Sequence, residues 1–406
     1  MKRLFDLNSI LSLCFVGFLL TSFIQFSAFL LGYNSPSNFL ISSINSHQVY
    51  LPQKIEVDLF FRAVLLQLIQ YFTIYLAFRY LVNQKIRFYL NKIKILITPI
   101  FLGKLYFLTV FFSFLLAINM FLKIDYILNY LFLIIKFLLI VYFFLIFNKF
   151  KFKKIYFYIL ITAFIFIQFT QFESNYGRGS LLSLLFALLF IYIHSDSKFS
   201  ALKLVFFISI AFITAVYLTA LKFSLDTDVF YFAIDQIFSR LNFAQSNYWV
   251  LESPQLFENY DDSLNRLTNF IIPFVDFVSI NNGYNLNQYA FQLAYGGSLA
   301  SVLDVSGGYA FTPIAESLIN FKSISLSVLF IFVYYFISAS FVRFLLKISP
   351  LVIFSLINFF IVGILFPENL IYITQSLFRD SLVILILCLC FFGNKSKTIK
   401  TSYNVK

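Results

Sequence analysis

Four arginines and one glutamate stand where they can handle a phosphate-bearing substrate outside a membrane. Arg178 lies in the run ESNYGRGS (173–180), between Gly177 and Gly179 and directly before an apolar stretch. A helix start offers backbone donors and a favourable dipole, and a guanidinium adds charge and paired N–H groups, so this is chemistry for phosphate oxygens. The structural alternative is a lipid headgroup contact or a pair with Glu173. Arg240 and Arg266 are the only arginines of an otherwise acidic polar stretch from 222 to 322. They can hold an anionic diphosphate at the interface, or simply pair with Asp235 and Asp262. Arg379, in SLFRDS (376–381), again precedes an apolar run, with Asp380 as its plain structural partner. Glu316 sits where the long polar stretch returns to apolar sequence. A carboxylate at the edge of a low-dielectric region suits a general base, the alternative being a hydrogen-bonded helix end.

Other residues carry weaker signals. Lys136 falls near the middle of the apolar run 126–147. A charge there costs about 2.5–3.5 kcal/mol on insertion scales, so Lys136 is expected to face other helices, with a partner or an anionic ligand on a substrate pathway. Glu56 with Asp58, and Asp226 with Asp228, are carboxylate pairs that can take a divalent cation or arise by chance. His47 and His194 stand far apart and make no metal set, and Cys14, Cys388 and Cys390 all lie in apolar sequence. No disulfide framework, metal ligand set or cofactor is therefore expected. Trp249 and Tyr248 can stack on a sugar ring or anchor at an interface. Walker, dinucleotide-binding and zinc-hydrolase motifs are missing, which argues against nucleotide hydrolysis.

The elements that must position these residues are membrane helices. Of the 406 residues, 61% are hydrophobic and 12% charged, against roughly 45–50% and about 25% in soluble domains. Crossing the hydrocarbon takes about 20 apolar residues. Ten stretches qualify: 10–31, 59–81, 105–122, 126–147, 155–172, 181–193, 204–221, 324–346, 351–366 and 381–392. The third can begin earlier, at 95, and the sixth and tenth are short and can extend or tilt. The first is too long for a cleaved signal core and is expected to remain as a span. The fold class is therefore an all-α polytopic bundle of about ten spans. It divides into spans at 1–221, a long external loop at 222–322, and spans with a tail at 323–406.

Charge sets the orientation. With both termini in the cytoplasm, most of the 30 basic residues fall on inside segments, and of the 18 acidic residues only Asp6 and Asp196 do. The net charge of +12 thus reads as topology and not as nucleic-acid binding. The external loop carries helical apolar spacing at 228–243 and 263–280, as surface-lying helices would.

This plan resembles the bacterial O-antigen polymerases. The resemblance rests on the spans, on GRGSLL opening a mid-chain span, on TPIAESLINF (312–321) closing the long loop, and on LFRDS before the last span. The chain departs at Lys322 and Gly177, where the family usually has Gly and Ser. The resemblance implies an inner-membrane enzyme that needs neither metal nor nucleotide. It would move a glycan from undecaprenyl diphosphate onto a lipid-linked repeat unit of lipopolysaccharide or capsule. Arg178, Arg240, Arg266 and Arg379 would stabilise the departing diphosphate, and Glu316 would deprotonate the acceptor hydroxyl. A flippase and a chain-length regulator are the implied partners. The related O-antigen ligases look to depend on a histidine in the long loop, and 222–322 has none. A polyprenyl-phosphate-dependent glycosyltransferase using Glu56 and Asp58, and a flippase or transporter of lipid-linked oligosaccharide, are the other readings.

Overall fold

A computed structural model describes residues 56–79, 84–122, 125–170, 244–257, 311–360 and 370–392, with isolated positions at 184, 187, 188, 191, 192, 209 and 213. Among these residues all regular structure is helical. In chain order the helices are α1 Val57–Phe78, α2 Gln84–Leu96, α3 Pro99–Leu122, α4 Asp125–Phe147, α5 Lys154–Thr170, α6 Ala244–Glu252, α7 Pro313–Phe321, α8 Ile324–Ile348, α9 Ile353–Phe360, α10 Leu370–Thr374 and α11 Ser381–Phe392. Four of them, α1, α3, α4 and α8, hold segments long and apolar enough to cross a membrane. Backbone groups in hydrocarbon must be satisfied within the chain, and a helix does that alone. The expected first span and the two loop helices at 228–243 and 263–280 lie outside the described residues, as do the sixth and seventh spans apart from those isolated positions.

Helices α3, α4 and α5 form one packed group. Tyr106 stacks on Tyr156 with ring centres 4.3 Å apart. The hydroxyls of Thr109 and Tyr142 meet at 3.2 Å inside it. One face of α3 presents Phe107, Phe111, Phe114 and Phe121 outward; in water this would be an aggregation hazard, and in lipid it is the ordinary outer face. The third span starts earlier than 105, though at Pro99 and not at 95. The Thr98 hydroxyl accepts from the Phe101 amide at 3.2 Å, and Pro99 takes the first helical position, so α3 starts afresh there. That leaves α2, with Lys85, Arg87, Lys92 and Lys94, as a separate basic helix.

A second group gathers α1, α6, α7 and α8. Helix α7 ends at Lys322, whose φ of 49° is left-handed and whose amide donates to Leu318 O at 2.9 Å. This tight turn lets α7 fold back against α8.

The last span differs from its expected limits. Helix α10, a π-helical segment Gln375–Asp380 and α11 follow without a break over 370–392. That run is about 34 Å long, enough to cross the hydrocarbon. Its first half was hidden from a hydropathy reading because Thr374, Ser376 and Asp380 are buried among other helices. Arg379 and Asp380 therefore lie inside a helix of spanning length and not ahead of one.

Candidate functional site

Both limbs of the long loop enter the second helix group and meet α1. Asn247 on α6 is the hub. Its Nδ2 donates to Ala63 O at 3.2 Å and to Gln67 Oε1 at 3.1 Å. Its Oδ1 accepts from the Thr312 hydroxyl at 2.7 Å. Thr312 caps α7 by accepting from the Ala315 amide at 3.2 Å, as an N-cap threonine does. The Ile314 amide, a donor that α7 itself cannot satisfy, donates to Gln70 Oε1 at 2.9 Å. Gln67, Gln70, Asn247 and Thr312 have no exposed surface. Gln70 lies about 20 Å along α1 from its start, so the start of α7 is inside the bundle.

Glu316 follows half a turn later on α7. It is 2% exposed, and its Oε2 accepts from the Leu370 amide at 2.9 Å, at the first residue of the 370–392 run. Four residues on, Thr374 shares a hydrogen bond with Tyr334 of α8 at 3.0 Å, and Tyr334 feels the charge of Glu316. Two of the sequence motifs, 312–321 and 376–381, thus sit on elements that touch through the Glu316 carboxylate. Glu316 is enclosed by protein.

Trp249, one turn beyond Ser246, closes this seam on one side. It packs edge-on to Phe257 with ring centres 5.2 Å apart and against Phe311 at 5.9 Å. It is thus a core residue and not a surface anchor. Tyr248 accepts from the Glu56 amide at 3.0 Å, and burial pushes its hydroxyl above the ordinary pKa while that amide contact opposes the shift. Asp58, one half of an expected cation pair, instead forms an exposed ion pair with Arg62 at 2.8 Å.

A separate charge cluster occupies the first helix group. Lys136 is 7% exposed on α4, as a lysine within a span must be. The opposite charge that acts on it is Asp380. Asp380 is itself 6% exposed and accepts from Arg379 Nε at 3.0 Å. Asp380 is thus bound by Arg379 and carries the opposite charge nearest in effect to Lys136. A cavity of about 10 Å³, room for about one water molecule, lies beside Lys136, between Phe137 and Ile140 of α4 and Phe354 and Ser355 of α9.

Arg178, Arg240 and Arg266 lie outside the described residues. What sequence reasoning passed over was the neutral polar set Gln67, Gln70, Asn247 and Thr312. The signal was available: two amides three residues apart within an apolar span stack on one helix face, and a polar stripe in a membrane helix seeks a partner. No family model, curated protein or solved structure matches this chain.

Proposed function

We propose that the chain is a membrane glycosyltransferase that polymerises polysaccharide repeat units on the outer face of the bacterial inner membrane, with both termini in the cytoplasm. The acceptor hydroxyl of a lipid-linked repeat unit attacks the anomeric carbon of the growing chain. The bond from that carbon to undecaprenyl diphosphate breaks, the diphosphate leaves with the electron pair, and a carboxylate takes the hydroxyl proton. The leaving group needs no activation beyond charge stabilisation, which arginines supply.

The observation that carries this reading is Glu316: a buried carboxylate, on the limb by which the long loop re-enters the bundle, fixed by the Leu370 amide. The Leu370 amide orients the carboxylate, as a general base in a fixed site must be. Lys322 adds support. The position where the resembling family usually has Gly takes a left-handed φ here, the conformation that favours Gly. Arg178, Arg240 and Arg266 are assigned to the diphosphate. Arg379, bound to Asp380 within a helix, is assigned to the charge cluster with Lys136. Glu316→Gln tests the proposal. The new amide oxygen still accepts from Leu370, so the protein stays folded, while long-chain glycan falls by about 10²–10⁴-fold, the usual worth of a general base. Wild-type chain lengths from this variant would end the assignment.

The Lys136–Asp380 cluster favours one other reading, a transporter of lipid-linked oligosaccharide, because intramembrane charges mark translocation paths. Movement of the lipid-linked repeat unit across vesicles, with unchanged glycan length, would select it.

A further inference from the structure

We propose that Gln67 and Gln70 form a recognition site for the hydroxyl oxygens of a saccharide, between α1 and the two limbs of the long loop. This rests on the polymerase reading for the identity of the sugar, which is the acceptor end of the lipid-linked repeat unit. The two glutamines stand three residues apart on α1 and are completely buried. Their carbonyl oxygens are committed to the loop limbs, Gln67 to Asn247 and Gln70 to the Ile314 amide. Those bonds fix which end of each side chain is which. The amide nitrogens of both have no hydrogen-bond partner among the described residues. Two buried donors on one helix face call for acceptor oxygens, since a buried donor left unmet is costly.

The chemistry of the seam narrows what supplies them. Primary amides are neutral donors, and the neighbouring groups Asn247 and Thr312 are neutral as well. Neutral donors beside an aromatic wall, here Trp249 and Phe311, suit sugar hydroxyls and ring faces and not a diphosphate, which demands cations. Ile314, bound to Gln70, is two residues from Glu316. The Gln70 amide and the carboxylate thus meet the same short helix, α7, at its first turns. Entry requires α6 and α7 to part from α1, with which they pack.

Trp249 is the only tryptophan in the chain, so its emission reports on this seam in the full-length protein. The chain in lipid nanodiscs is titrated with two probes: undecaprenyl diphosphate, and the same lipid carrying the repeat unit extracted from the producing cells. The sugar-bearing lipid is expected to shift the emission of wild type and the bare lipid to leave it unchanged. Gln67→Met and Gln70→Met weaken the sugar response at least tenfold. Where a methionine variant does not fold, Gln70→Glu keeps the acceptor for Ile314 and replaces only the donor. Equal responses to both lipids, or variants with the wild-type response, would overturn the site and leave water as the partner of these amides. If the emission responds to sugar while no glycan is ever elongated, the site stands and the polymerase reading falls. If glycan is elongated normally by variants that keep the wild-type response, the reverse holds.

Discussion

The two helix groups are held together by different means. Around α1 the ties are neutral: Asn247 alone makes three hydrogen bonds, to Ala63, Gln67 and Thr312. Around α4 the polar groups are charged, with buried Lys136 on α4 and Asp380 bound to Arg379 on the 370–392 helix. In lipid, helices gain nothing from simple apolar contact, so polar groups do much of the joining. Neutral groups do it at modest gain and modest loss. Charges do it at high stakes, because removing one leaves another uncompensated in a low-dielectric interior. The neutral seam joins the short helices α6 and α7 to α1, and a joint built from neutral bonds opens at modest cost. The ionic joint links elements of the bundle itself and is not built to open.

The largest effect expected on stability follows from that difference. Asp380→Asn removes the buried carboxylate that Arg379 binds and destabilises by about 3–5 kcal/mol, the usual cost of breaking a buried pair. Lys136→Met costs less, because Asp380 keeps Arg379. Electrostatic coupling between Lys136 and Asp380 shows as a partial recovery when Lys136→Met is added to Asp380→Asn. Unfolding midpoints in detergent for the three variants check this. Additive losses in the double variant would show that Lys136 and Asp380 are not coupled.

Next in size is the neutral hub. Asn247→Ala removes three bonds and leaves Gln67 Oε1 and the Thr312 hydroxyl to find other partners. At about 1 kcal/mol net per hydrogen bond, the loss is roughly 2–3 kcal/mol. Protease should then cut the long loop faster while α3, α4 and α5 stay protected. Uniform protection across the whole chain would mean that Asn247 does not secure the loop.

The helices of the bundle were legible in the sequence wherever apolar character was continuous, as in α4, and so was the inward position of Lys136, since a lone charge inside a span has nowhere else to go. The Arg379–Asp380 contact was legible as well, from adjacency. The helix at 370–392 was legible only as a short apolar run, 381–392, with room to extend. Its upper half carries Thr374, Gln375, Ser376, Arg379 and Asp380, which lower its hydropathy, and packing against neighbouring helices buries Thr374, Ser376 and Asp380. The role of Asn247 was hidden for a different reason. A single Asn in a polar loop is unremarkable until its partners, about 180 residues away, are known.

The smallest effect concerns the turn that aims α7 into the bundle. Lys322 holds φ 49° and ψ 23°, a region that costs a residue with a β-carbon about 1–2 kcal/mol. Lys322→Gly removes that strain but returns some of the gain as extra freedom of the unfolded chain. The net expectation is a stabilisation of roughly 0.5–1 kcal/mol, read as a higher unfolding midpoint with glycan length unchanged. Lys322→Val separates conformation from loss of the charge, because both variants discard the ammonium while valine resists the left-handed region most strongly. Valine should destabilise where glycine stabilises. If both variants shift the midpoint in the same direction, the lysine acts through its charge, and the left-handed turn is not what orients α7 and its glutamate toward Leu370.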